Sequence, residues 1–251
     1  MYNNVKEVFD RALAPFPGVK WACCPLDFSQ WKESGKYNYA LLVYAPYDEI
    51  MTIWKYKEPR QAAQKRRRSA AMKEVAAALE KAAKAAGIPF LIPPVTRDNM
   101  SPPYKMSLSS KEVGVRSGVG WIGRSDLLIT YDYGPRIETV SAVFYADHME
   151  TRPPVTKNQC GDCSLCVKAC PFHLITGKTW KEGTPREELL DYHNCSVQRD
   201  LLGRKMGLGR KFMCARCLLA CPVGVENIQK LNASLEERKE ENGCTACSAD
   251  S

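Results

Sequence analysis

A chain of 251 residues with 45% hydrophobic content can bury a full core, either as one large domain or as a core carrying a smaller appendage. The formal charge of +8 is modest, so charge alone makes no case for nucleic acid. The longest apolar runs, such as YALLVYA at 39–45, are too short to cross a bilayer, and the opening MYNNVKEVFDRALAPF lacks the apolar centre of a secretory signal.

The expectation is a cytoplasmic protein without a membrane span. In a reducing compartment, twelve cysteines serve metal or redox chemistry rather than disulfides.

From about 37 to 150 the pattern alternates strand and helix. YNYALLVYAPY reads as a β-rich run ended by Pro46. The stretch from Glu58 to Gly87 reads as a helix in which Met72, Val75, Leu79, Ala82 or Ala83, and Ala86 recur every three or four residues, with Gly87 and Pro89 as its stop. PFLIP and DLLITY read as short buried strands, and IETVSAVFYA places Val140, Ala142 and Phe144 on one face. This is an α/β core. From about 153, after the two prolines of TRPPVTKNQ, the chain reads as loop-rich with short helices at best. Beyond Val225 it becomes increasingly charged, as a mobile end would be.

Eight of the twelve cysteines fall in this loop-rich region between Cys160 and Cys221. CGDCSLCVKACP, Cys160 to Pro171, spaces four thiols at gaps of two, two and three residues, and CARCLLACP, Cys214 to Pro222, repeats the pattern with three. Soft thiolates suit the iron corners of a cubane cluster, and two-residue gaps let a tight loop reach three corners. In two-cluster ferredoxins the fourth cysteine serves the other cluster. Seven thiols leave one ligand short, and Cys195, the only other cysteine between the motifs, supplies it, with Cys244 as the alternative. The swapped reading gives Cys160, Cys163, Cys166 and Cys221 to one 4Fe-4S cluster and Cys170, Cys195, Cys214 and Cys217 to the other. Structural zinc would leave the third cysteine and the Cys-Pro unexplained. One cluster with spare thiols is the remaining alternative.

GVRSGVGWIGRSDLLITYDYG at 114–134, followed by the two cysteine motifs with NCSV between them, resembles epoxyqueuosine reductase and, more distantly, the corrinoid-dependent reductive dehalogenases. The resemblance is specific over about 114–224 and traceable over 37–110. It implies an α/β core (1–152) similar to flavin nitroreductase-like corrinoid reductases, a ferredoxin-like double-cluster module (153–228) and a charged tail (229–251).

The resemblance also implies an iron-sulfur reductase that passes single electrons to a bound corrinoid (cobalamin) or substrate, fed by a low-potential donor such as flavodoxin or ferredoxin. The relatives carry a catalytic aspartate about a dozen residues before GVR. Here SPPYKMSLSSKE offers Tyr104, with Lys105 beside it, and the dehalogenases use a tyrosine as proton donor. Gly114, Gly118, Gly120 and Gly123 are the candidates for close backbone approach to a flat cofactor. Two rival functions stand beside this one: a non-catalytic carrier that reduces a partner such as a corrinoid protein, and a tRNA epoxyqueuosine reductase in the strict sense.

The QKRRR run at 64–68 could contact phosphate, although charge runs on helices are usually solvated faces. His173 and His193 neighbour cysteine ligands without being assigned as ligands. Cys23 and Cys24, adjacent in sequence, read as buried small residues. The CTAC pair Cys244 and Cys247 sits on a polar tail.

Overall fold

In the computed structural model, the described residues are 4–28, 35–51, 53, 57–94, 108–208 and 214–244. Helix α1 (Val5–Leu13) buries Val5, Phe9 and Leu13, which recur every four residues. Strand β1 (Lys20–Pro25) pairs antiparallel with β2 (Tyr39–Pro46). Helix α2 (Glu58–Ala85) has Pro59 in its first turn, where a missing N–H costs no helical bond. Its buried stripe runs through Met72, Val75, Leu79 and Ala83, whereas Ala86 caps the helix and is exposed.

Strand β3 (Phe90–Leu91) and helix α3 (Ser110–Arg116) follow. The Ser109 hydroxyl caps α3 by accepting from the Glu112 N–H at 3.4 Å. Strands β4 (Gly120–Ile122) and β5 (Leu128–Thr130) form a separate antiparallel pair, and β6 (Ile137–Phe144) completes the main sheet.

That sheet has the order β1-β2-β6-β3 and is antiparallel throughout. The continuous apolar run of β2 has a simple cause, because both of its faces are covered. Leu41, Val43 and Ala45, with Ala142 and Phe144 of β6, pack under α1 and α2. Ala40, Leu42 and Tyr44, with Val143, face α3, Leu128 and three residues from the cysteine-rich region, Trp180, Leu189 and Ile228. The architecture is therefore a mixed α/β core with a cysteine-rich module built onto one sheet face.

The region after 153 is more helical than its sequence suggests. Helices α4 (Leu165–Ala169) and α6 (Arg216–Ala220) are short, but α5 (Tyr192–Met206) has 15 residues and α7 (Val225–Cys244) has 20. In α5 only Gly203 is buried, so no apolar stripe was there to be read. The charge of α7 hides its anchorage: Ile228 is fully buried, Asn227 donates to Asp132 O at 2.8 Å, and Asn232 donates to Asp48 O at 3.0 Å. Burial of Ile228 contributes about 2 kcal/mol.

The corner between α6 and α7 meets the turn after β5 backbone to backbone. A β-carbon on Gly224 would lie 2.1 Å from the Tyr133 carbonyl carbon and 2.3 Å from the Gly134 nitrogen, and one on Gly134 would lie 2.0 Å from Val223 O. Among the described residues, no helix is long and apolar enough to cross a membrane.

Candidate metal centre

Each cysteine motif builds the same local unit, a five-residue helix that carries one cysteine and ends in Cys-Pro. Helix α4 carries Cys166 and ends at Cys170; α6 carries Cys217 and ends at Cys221. A proline drives the residue before it out of the helical region, and both capping cysteines are extended, with φ and ψ of −72° and 113° at Cys170 and −73° and 126° at Cys221. The prolines thus turn the terminal thiols away from their own helices.

Helices α4 and α6 pack on each other, and the thiols fall into two neighbourhoods. Cys166 feels Cys160 and Cys163, and Cys221 feels Cys160 and Cys166. Cys195 feels Cys214 and Cys170, and Cys217 feels Cys214 and Cys195. A weaker influence of Cys166 on Cys217 links the two neighbourhoods.

Burial pushes the Cys217 thiol up to about 12 and Cys221 up to about 11, and it also raises Cys166, Cys195 and Cys214, with neighbouring thiols adding to the effect. These groups are protonated at neutral pH in the metal-free chain, so iron binding must displace their protons. All eight cysteines are free.

N–H groups are aimed at the sulfurs: Trp121 Nε1 donates to Cys160 Sγ at 3.5 Å, and Leu174 N donates to Cys170 Sγ at 3.4 Å. Among the described residues, no three His, Cys, Asp or Glu side chains are grouped to hold a single metal ion. Cysteine thiolates are the soft donors that four-iron clusters require, and each neighbourhood supplies four of them.

Several core residues that the sequence reading passed over clamp these loops. Arg124 donates to Gly161 O at 2.7 Å and to Gly177 O. The buried Arg136 donates to Cys221 O at 2.6 Å and Leu219 O at 2.8 Å, filling the last carbonyls of α6. Glu58 Oε2 accepts from Cys214 N at 3.1 Å. Asp126, 5% exposed, receives Lys111 Nζ at 2.5 Å and Arg186 Nε at 2.7 Å, tying core to module. None of these residues stands in a pattern that sequence reading can isolate, although Arg124 and Asp126, like Trp121, lie inside the 114–134 segment.

Residues 159–224 match the 4Fe-4S double cluster binding domain. This stretch contains all eight cysteines and supports two iron-sulfur clusters. The epoxyqueuosine reductase of Listeria monocytogenes is 33% identical over 124 residues, covering 46% of this chain and 29% of that protein. The chain therefore spans under a third of that relative's length.

Among solved structures, an epoxyqueuosine reductase bound to an epoxyqueuosine-modified tRNA-Tyr stem loop aligns with a TM-score of 0.57 at 16% identity, covering 87% of this chain and 64% of that one. A reductive dehalogenase whose structure suggests a mechanism for B12-dependent dehalogenation aligns with a TM-score of 0.59 at 15% identity, covering 92% and 33%. At these identities the likeness establishes a shared fold.

The candidate glycines separate into two kinds. A β-carbon on Gly114 would lie 2.5 Å from Leu128 Cδ2, one on Gly120 would lie 2.0 Å from Ile129 O, and one on Gly123 would lie 2.9 Å from Ile129 Cγ1 and 3.7 Å from Cys160 Sγ. These three pack against the chain itself. Gly118 also meets the chain closely, with Pro153 O 2.7 Å and Arg152 Cβ 2.8 Å from its would-be β-carbon, but it also lines an open cavity of about 490 Å³ with Tyr131, Arg152, Val155, Lys157 and Gln159. Tyr131 tilts against Trp121 at 5.3 Å between ring centroids, and Trp121 donates to Cys160, so the cavity lies beside the first thiol group.

Tyr104, Lys105 and Cys247 lie outside the described residues, and Cys244 ends α7. The QKRRR run is only partly a solvated face: Arg66 and Arg67 are exposed, but Gln64 is fully buried. Lys65 is half-buried, with its pKa lowered to about 8 by burial first and then by Arg199, against the opposing pull of Cys217, Glu138 and Cys214. Cys23 and Cys24 are buried on opposite faces of the sheet, and burial raises both to about 12.

Proposed function

We propose that this chain is an iron-sulfur reductase in which Cys160, Cys163, Cys166 and Cys221 hold one 4Fe-4S cluster and Cys170, Cys195, Cys214 and Cys217 hold the other. The observation that carries this reading is the exchange of end thiols, with Cys160 and Cys166 influencing Cys221, and Cys170 influencing both Cys195 and Cys214, on two short helices that pack on each other. When bound, clusters of this type supply electrons one at a time. The chain's own part is to bind and orient. Trp121 donates to Cys160, Arg124 and Arg136 fix the loop carbonyls, and seven of the eight cysteines are half-buried.

The electron acceptor sits in the cavity at Gly118, Tyr131, Arg152 and Lys157. Its volume of about 490 Å³ lies in the range of small-molecule sites, and its two cations and one aromatic ring suit an anionic or planar ligand. A whole corrinoid would fill it only with its edge and extend outside. The B12-dependent chemistry named for the dehalogenase relative and the modified tRNA bound by the epoxyqueuosine reductase relative define the two acceptor classes to test, cobalamin and an epoxyqueuosine-containing stem loop. Exposure of Cys163 also suits a second reading, a carrier that passes electrons to a partner protein. A cytoplasmic setting and a low-potential donor such as flavodoxin or ferredoxin complete the proposal.

Anaerobic purification with iron and sulfide analysis, followed by absorbance spectra before and after addition of cobalamin, tests it. The reading expects about eight iron and eight sulfide per chain and a shifted cobalamin spectrum with the lower base displaced, because the 114–134 segment has no histidine to replace it. Zinc in place of iron, or about four iron, rejects the two-cluster assignment. Eight iron without any cobalamin shift moves the function to the carrier.

A further inference from the structure

Helix α2 belongs to the core, yet one of its stripes faces the second thiol group. Glu58, Gln61 and Lys65 are spaced by three and four residues and so share a face. The first of them accepts from Cys214 N at 3.1 Å. The Lys65 ammonium and the Cys217 and Cys214 thiols act on one another electrostatically. Between them Gln61 is 0% exposed, and neither atom of its carboxamide has a hydrogen-bond partner among the described residues. A buried amide without partners is rare in folded proteins and points to an acceptor that the protein chain does not supply.

We propose that Gln61 and Lys65 are donors from the core to the second thiol group, and that they raise the reduction potential of the cluster held by Cys170, Cys195, Cys214 and Cys217. The inference rests on the two-cluster reading. One-electron reduction takes a cluster with four thiolates from a charge of about −2 to about −3. A nearby ammonium and an amide N–H favour the more negative state, and they do so strongly where water is excluded. The neighbourhood is mixed in sign, since Arg199 adds a cation while Glu58 and Glu138 add carboxylates. Removing Lys65 alone therefore isolates its share.

The experiment is a potentiometric titration of the anaerobically loaded protein, with dithionite supplying the electrons and low-temperature electron paramagnetic resonance following each cluster. Cys195→Ser identifies which signal belongs to the second group. Lys65→Met and Gln61→Leu should each move that midpoint to lower potential and leave the other in place. Lys65→Arg should restore the wild-type value, and Lys73→Met, exposed on the same helix, should change neither.

Unmoved midpoints in Lys65→Met, an equal shift of both clusters, or Lys65→Arg behaving like Lys65→Met would overturn the proposal. If Lys65→Met does not fold, Gln61→Leu carries the same test with the same expected drop. A wild type with about four iron overturns the two-cluster reading itself, and metal analysis reports that before any titration begins.

Discussion

Replacing Gly224 by alanine tests how the second motif is held to the core. The residue has φ +77°, in a region that costs an L-residue about 1–2 kcal/mol. Its new β-carbon would stand 2.1 Å from the Tyr133 carbonyl carbon and 2.3 Å from the Gly134 nitrogen. These are backbone atoms with no rotamer to give way, so the two segments must part, at an overpacking cost of about 1–3 kcal/mol.

Gly207, at φ +64° with nothing within 4 Å of its would-be β-carbon, supplies the control, carrying the conformational cost alone. Both substitutions also stiffen the unfolded chain, which returns about 0.4–1 kcal/mol in each case and cancels in the comparison. Gly207→Ala should cost about 1 kcal/mol and Gly224→Ala about 2–4 kcal/mol, measured by guanidinium unfolding of the reduced, metal-free protein with tryptophan fluorescence as the signal. Iron retention after loading should fall only in Gly224→Ala. Losses equal within about 0.5 kcal/mol would refute the argument that the close backbone contact, rather than the dihedral angle, fixes this corner.

Further outcomes follow from the same geometry. Cys195→Ser should leave about half the iron, and unchanged iron would pass the eighth ligand to another residue, with Cys244 next to be tested. Arg136→Met strands two buried carbonyls at the end of α6, at about 1–3 kcal/mol each. A denaturation midpoint indistinguishable from wild type would show that water takes over both bonds. If the proposed reductase activity holds, Tyr104→Phe should abolish substrate turnover while leaving iron content and cofactor binding unchanged, and wild-type turnover would remove Tyr104 from proton delivery.

What the sequence made legible was whatever repeats at short range. The apolar run of β2, the Met72–Ala83 stripe of α2 and the two Cys-Pro motifs are all local patterns with a local cause, and the structure contains each of them. The helices α5 and α7 escaped because their stabilisation is not periodic. One buries a single glycine, and the other is pinned by Ile228 and two asparagine side chains. The clamps escaped for a related reason: Arg136 reaches residues more than eighty positions away, and Glu58 reaches one 156 positions away. Only tertiary contact gives those side chains a task. Gly114, Gly118, Gly120 and Gly123 were legible as tight approaches but not by partner, since all four meet the chain itself and Gly118 also borders the cavity.

The exchange of end thiols between α4 and α6 bears on how such a protein is made and mended. On the proposed assignment, the first motif leaves the ribosome holding three thiols of one site and one of the other, so neither site can be filled until the second motif has been synthesised, the second site at Cys217 and the first at Cys221. Assembly is then a single late event for the whole module. Damage follows the same route in reverse. Cys163 is exposed whereas the other seven cysteines of the two sites are half-buried, which makes it the place where an oxidant first meets the module. Once that site is lost, Cys221 is released from the end of the helix whose Cys217 serves the other site. An oxidised molecule would thus need both sites rebuilt together, which makes the pair, rather than the single cluster, the unit of repair.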